Sequence, residues 1–204
     1  MYTLYWNTDT GAFAPNLVLA LARAPFERVR IDHRKGENRT PAYLKISPLG
    51  QIPALRLPDD STITESAAML LHLVEAYPGA GLAPPPGTGA RAHFHRWLLF
   101  LATGVYGAVL RVSYPERHTD DPAGAAAVRE AANRALETQW AIVEAAIEPG
   151  PYLFGPSITA ADIYLAMLAC WYDGLASKPR VRRIHTLVRS TPEGERLWQE
   201  YFPS

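Results

Sequence analysis

An α/β domain over residues 1–77, a connecting segment over 78–89 and an all-helical domain over 90–204 are what this 204-residue sequence predicts. Three observations carry that reading. Up to residue 77, short β-favouring apolar runs alternate with helically spaced ones. Residues 78–89 read PGAGLAPPPGTG, four Pro and four Gly in twelve, which neither helix nor strand tolerates. Beyond that segment the apolar spacing is helical throughout.

Tyr2 to Trp6 forms a compact strand run. Pro15 to Arg23 spaces Leu17, Val18, Leu21 and Ala22 along one side of a helix, with Pro15 at its first position. Phe26 to Ile31 is a second strand, and a right-handed crossover makes it parallel to the first. A polar loop, with room for a short helix, leads to Pro53–Leu57 and Thr62–Thr64. The turn Pro58-Asp59-Asp60-Ser61 between them makes an antiparallel hairpin. Ser66 to Tyr77 presents Leu70, Leu71, Leu73 and Val74 on one helical face. The later helices are expected over Ala90 to about Val112, Ala123 to Ile147, and Ala160 to about Gly174. A basic stretch from Lys178 to Arg189 and a last helix after Thr191-Pro192 follow. Thr159-Ala-Ala-Asp162 has the spacing of a capping box, in which hydroxyl and carboxylate satisfy each other's backbone N–H groups.

Composition excludes several functions. Apolar residues make up 48%, enough for a buried core. Lys plus Arg equals Asp plus Glu at 20 each, so nucleic acid and anionic membranes are not the expected partners. One Cys supports neither an internal disulfide nor a multi-cysteine zinc site, and a reducing compartment is expected. The start, MYTLYWNTD, lacks a signal-peptide pattern, and no apolar run approaches the roughly 20 residues of a membrane span. A cytoplasmic protein without metal is the expectation.

Two motifs narrow this further. Pro48-Leu49-Gly50-Gln51-Ile52-Pro53-Ala54-Leu55 precedes the hairpin, and Thr64-Glu65-Ser66-Ala67-Ala68 follows it. With Gly155-Pro-Ser-Ile-Thr159-Ala-Ala-Asp162 in the helical half, they resemble the cytosolic glutathione S-transferases, over essentially the whole chain. Phe13-Ala14-Pro15-Asn16 is most similar to the first-helix start of the bacterial beta class. The resemblance implies a thioredoxin-like N-terminal domain, an all-α C-terminal domain, a homodimer, and glutathione as co-substrate with a hydrophobic second substrate. It implies a cis bond before Pro53, with Gln51 and Ile52 along the cysteinyl backbone of glutathione, a form of strand addition. Glu65 and Ser66 would take the γ-glutamyl end at a helix N-terminus, which favours carboxylates. Read alone, Ser66 is an ordinary N-cap and Glu65 an acid that offsets the helix dipole. Lys35, or Arg34 beside it, would approach the glycine end; read alone, Lys35 is a solvated charge.

The chain departs from the family where the thiol is activated. A thiol near pKa 8.5 needs a donor or positive end nearby to become a thiolate at neutral pH. The beta class has Cys and Ser where this chain has Gly11 and Ala12, and neither carries a side-chain donor. Thr10 is the foremost substitute, with Thr8 and Asn7 as neighbours. The Gly11 and Ala12 N–H groups are another, Tyr5 a further one, and a glutathione binder without strong catalysis remains open. Tyr106 stands where relatives often carry a His facing the thiol, and its phenol could donate; equally, it packs within its helix. Phe13, Tyr106 and Tyr114 would form an apolar wall.

Cys170 lies in an apolar helix and reads as a buried inert thiol. His93 and His95, two apart on a helix, face different ways and cannot share a metal. The basic run from Arg180 to Arg189 reads as a solvated face or subunit contact. Glutathione conjugation is the expected activity. Its rivals are a glutathione-dependent isomerase or reductase and a non-catalytic binding module.

Overall fold

The computed structural model describes residues 1–203. The chain divides by its contacts into two compact units, Met1–Leu82 with Arg189–Ser204, and Ala83–Val188. The segment from residue 189 thus groups with the first unit, whereas the helical pattern alone counts it with residues 90–188.

The first unit holds a four-stranded sheet in the order β2-β1-β3-β4: β1 Tyr2–Trp6, β2 Phe26–Arg30, β3 Ala54–Arg56 and β4 Thr62–Ile63. As the crossover rule requires, β2 runs parallel to β1, while β3 runs antiparallel to both β1 and β4. The Pro58–Ser61 turn closes with the Leu57 N–H donating to the Ser61 C=O at 2.8 Å, and Asp60 takes φ 67°. Three helices follow or connect these strands: α1 Phe13–Leu21, α2 Pro41–Leu44 and α3 Ser66–Ala76. Leu4 and Leu55 from the sheet, Leu17 and Val18 from α1, and Met69, Leu70 and Leu73 from α3 are fully buried. Helix α1 begins two residues before the expected Pro15. Proline is tolerated there because first-turn N–H groups have no helical acceptor.

The second unit is helical: α4 Gly89–Leu99, α5 Gly107–Ser113, α6 Ala125–Ala146, α7 Ala160–Ala169 and α8 Pro179–Arg189, which ends one residue beyond it. A π-helical stretch, Phe100–Tyr106, joins α4 to α5, so the long helix expected over residues 90–112 is present but widened in its middle. Every residue of α7 is buried, as expected of a helix apolar all round. It ends at Ala169 rather than near Gly174, because Asp173 and Gly174 begin a 3-10 turn. Cys170 therefore sits at the helix's C-cap, half-buried rather than buried. The basic run is not uniformly solvated either. Arg180, Arg182 and Arg189 are exposed, but His185 is buried and so is Lys178, which donates to Glu137.

A last helix, α9 Pro192–Tyr201, belongs to the first unit. Its Tyr201 ring lies 4.9 Å from Trp6 and 5.8 Å from Phe13, and its Trp198 5.1 Å from Phe13. Arg28 pairs with Glu200 at 2.8 Å. Among the described residues no helix is long and apolar enough to cross a membrane.

Candidate functional site

Strand direction decides which sequence-distant residues meet. Because β1, β2 and β4 run one way and β3 the other, one end of the sheet collects the ends of three strands and the start of the fourth. The loop 7–12, the turn 33–35, Ile52-Pro53 and Glu65-Ser66 all emerge there. The β1–β3 ladder ends at Tyr5 with Ala54, next to Pro53, and the β3–β4 ladder at Leu55 with Ile63, two residues before Glu65.

The Ile52–Pro53 bond is cis. Ile52 is half-buried, and neither its N–H nor its C=O enters a hydrogen bond among the described residues. An open peptide at a strand's start is available to pair with an extended ligand. Both backbone groups of Gln51, by contrast, are tied. The Tyr43 hydroxyl donates to the Gln51 C=O at 2.8 Å, and the Gln51 N–H donates to Ser47 Oγ at 3.1 Å. Burial, with the Tyr5 phenol beside it, pushes the Tyr43 pKa well above its usual value, so the hydroxyl remains a donor.

Glu65 is the N-cap residue of α3, with φ 64° and no capping bond from its side chain. A non-glycine residue held there costs about 1–3 kcal/mol, and such strain gathers at functional sites. Ser66 is buried at the first helical position, not the N-cap that it resembles in the sequence.

The loop after β1 is a closed polar knot. Asn7 Oδ1 accepts from the Thr8 N–H at 2.9 Å and from Arg30 Nε at 3.1 Å, while Asn7 Nδ2 donates to His33 Nδ1 at 2.8 Å. The Thr10 hydroxyl donates to the Asn7 C=O at 2.7 Å and accepts weakly from the Ala12 N–H at 3.4 Å. Its one proton is thus engaged inside the loop. Thr8 is half-buried, and its hydroxyl makes no hydrogen bond among the described residues. Helix α1 starts on Ala12 with no side-chain cap and no acid in its first turn, which leaves the positive end of its dipole uncompensated. Lys35 is exposed and lies 3.5 Å from Asp32. Against its own desolvation, Asp32 is held below the usual carboxylate range by the Arg34 and Lys35 N–H groups and the Lys35 ammonium.

Thr10, Lys35, Gln51, Ile52, Pro53, Glu65 and Ser66 all lie in the first unit. Tyr106 lies in the second, at the end of the π-helical stretch, its ring stacked on Trp171 at 5.7 Å and edge-on to Tyr164 at 6.3 Å. Among the described residues no three His, Cys, Asp or Glu side chains gather as a metal would need.

Residues 12–76 match the family model "Glutathione S-transferase, N-terminal domain", and residues 126–185 match "Glutathione S-transferase, C-terminal domain". The chain belongs to the glutathione S-transferase family. The uncharacterized GST-like protein YncG of Escherichia coli (strain K12) is 30% identical over 178 residues, covering 85% of this chain and 83% of that protein. The disulfide-bond oxidoreductase YfcG of the same strain is 30% identical over 210 residues, covering 94% and 92%. Among solved structures, a glutathione transferase homolog from Sulfitobacter with bound glutathione is similar with a TM-score of 0.89 at 28% identity, covering 97% of this chain and 96% of that one.

Sequence reading passed over Tyr43, Ser47, Asn38 and the Asn7–Arg30–His33 knot. One signal pointed to the first pair. Thr40-Pro41 is an N-cap followed by proline, the mark of a helix start, and that helix carries Tyr43.

Proposed function

We propose that this chain binds glutathione along the Ile52 peptide and transfers its thiolate to a hydrophobic electrophile. The open Ile52 peptide carries the reading, since its N–H and C=O are what a strand-like cysteinyl backbone requires. The glutathione-bound Sulfitobacter relative supports it. In this reading Gln51 and Pro53 hold the recognition peptide, Ser66 and the start of α3 take the γ-glutamyl carboxylate, and Glu65 accepts from its ammonium. Lys35 meets the glycine carboxylate. The proton donor to the thiolate is the Thr8 hydroxyl, aided by the α1 terminus, in preference to the engaged Thr10. The thiolate sulfur bonds to the electrophilic carbon, the leaving group departs with the electron pair, and the thiol proton passes to solvent. A cytoplasmic homodimer is the proposed working form.

Immobilised glutathione and an aryl-halide conjugation assay test this directly. Wild type should be retained on the resin and should conjugate. Thr8→Val should raise the pKa of the bound thiol, followed by its thiolate absorbance, and lower kcat/KM by about 10–100-fold. Thr10→Ala should change it less. No binding at millimolar glutathione overturns the reading, and binding without turnover makes the chain a non-catalytic module. A second reading, disulfide reduction by glutathione thiolate, is supported by the name of the 30% identical YfcG. Reduction of a small disulfide at a rate above that of aryl-halide conjugation would favour it.

A further inference from the structure

Three successive carbonyls ahead of Ile52 are each held by a side chain from the preceding segment. Arg39 Nη1 donates to the Leu49 C=O at 3.0 Å, Asn38 Nδ2 to the Gly50 C=O at 2.7 Å, and the Tyr43 hydroxyl to the Gln51 C=O at 2.8 Å. The backbone approaches this cradle so closely that a Cβ on Gly50, at φ 63°, would meet the Asn38 carbonyl oxygen at 2.7 Å. Of the side chains involved, Tyr43 is 2% and Ser47 1% exposed, so the bonds at Gln51 are partly buried, while Arg39 is exposed.

The Gln51 C=O and the Ile52 N–H belong to one peptide unit. That unit is planar and trans, so the two groups point in opposite directions. Whatever fixes the carbonyl therefore aims the N–H. We propose that Tyr43 is a positioning residue for ligand binding: by holding the Gln51 carbonyl, its hydroxyl turns the Ile52 N–H toward the peptide backbone of the ligand. Ser47 completes the clamp by accepting from the Gln51 N–H. A carbonyl that accepts a hydrogen bond also makes the N–H of its own amide a better donor. This inference rests on the glutathione reading above, and it assigns affinity to a side chain that touches no ligand atom.

The test pairs two proteins with two ligands. Calorimetry of wild type and Tyr43→Phe uses glutathione and an analogue whose Cys–Gly amide is replaced by an alkene, which lacks the cysteinyl C=O that would accept from the Ile52 N–H. Tyr43→Phe should weaken glutathione by about tenfold and the analogue by less than about twofold. Equal losses with both ligands, or no loss with glutathione, overturn the inference. If wild type itself does not bind glutathione, the parent reading fails first and takes this one with it. Should Tyr43→Phe fold poorly, Ser47→Ala, which removes the acceptor of the Gln51 N–H, must show the same preferential loss for glutathione.

Discussion

The helices that start at Ser66 and at Ala160 look alike in sequence, each with a threonine and an acid at its entry, yet their first turns are built oppositely. At α7 the cap is closed on both sides. The Asp162 carboxylate accepts from the Thr159 N–H at 2.8 Å, the Thr159 hydroxyl at 2.6 Å and the Leu153 N–H at 2.7 Å, all buried. At α3 the acid makes no cap and is exposed, and its backbone is held at φ 64°. A closed cap serves stability. An open, strained one costs stability, and the ligand reading supplies the reason to keep it.

Three experiments test that contrast. Asp162→Ala, which orphans two buried N–H groups, should lower unfolding free energy by about 3–5 kcal/mol in denaturant titration. A loss near 1 kcal/mol would reduce the box to an ordinary cap and end the comparison. Glu65→Gly should act in two directions, raising stability by about 1 kcal/mol as strain is relieved while weakening glutathione about tenfold. Higher stability with unchanged affinity would make the strain incidental. The smallest effect concerns pH. Burial pushes the Asp162 pKa up, against its hydrogen bonds from Thr159 and Leu153. Between the unfolded value and this raised one, the folded chain keeps a proton that the unfolded chain has released. Stability therefore falls as pH rises through that window and is level above it. Asp162→Asn should flatten that part of the profile, and an unchanged slope would exclude Asp162 as its source.

What the sequence disclosed follows from what has a period or a fixed spacing. Leu70, Leu73 and Val74 mark α3 by helical repetition, and Thr159 with Asp162 marks the capping box by its three-residue interval. Pro53 and the Glu65-Ser66 pair were legible only as a motif that resembles a family. The polar ties have no such signature. Thr10 and Thr8 are equivalent hydroxyls on paper. They part only when the turn returns Thr10 to the Asn7 carbonyl. Tyr43 reaches Gln51 across eight residues and two changes of direction, and nothing periodic records that contact. The positive φ of Glu65 is likewise set by where β4 must end and α3 begin, not by any preference of glutamate.

Helix α9 carries a consequence for how this molecule is made. The Asp9 N–H donates to the Tyr201 C=O at 2.8 Å, and Asn16 Nδ2 to the Tyr201 hydroxyl at 3.0 Å. The loop after the first strand is therefore finished by a residue translated about 190 positions later. At ordinary elongation speeds roughly 10–40 s separate the two on the ribosome. For that interval the earliest part of the chain to emerge waits with Trp6 and Phe13 lacking their aromatic cover. It is the half that a nascent-chain chaperone would meet longest.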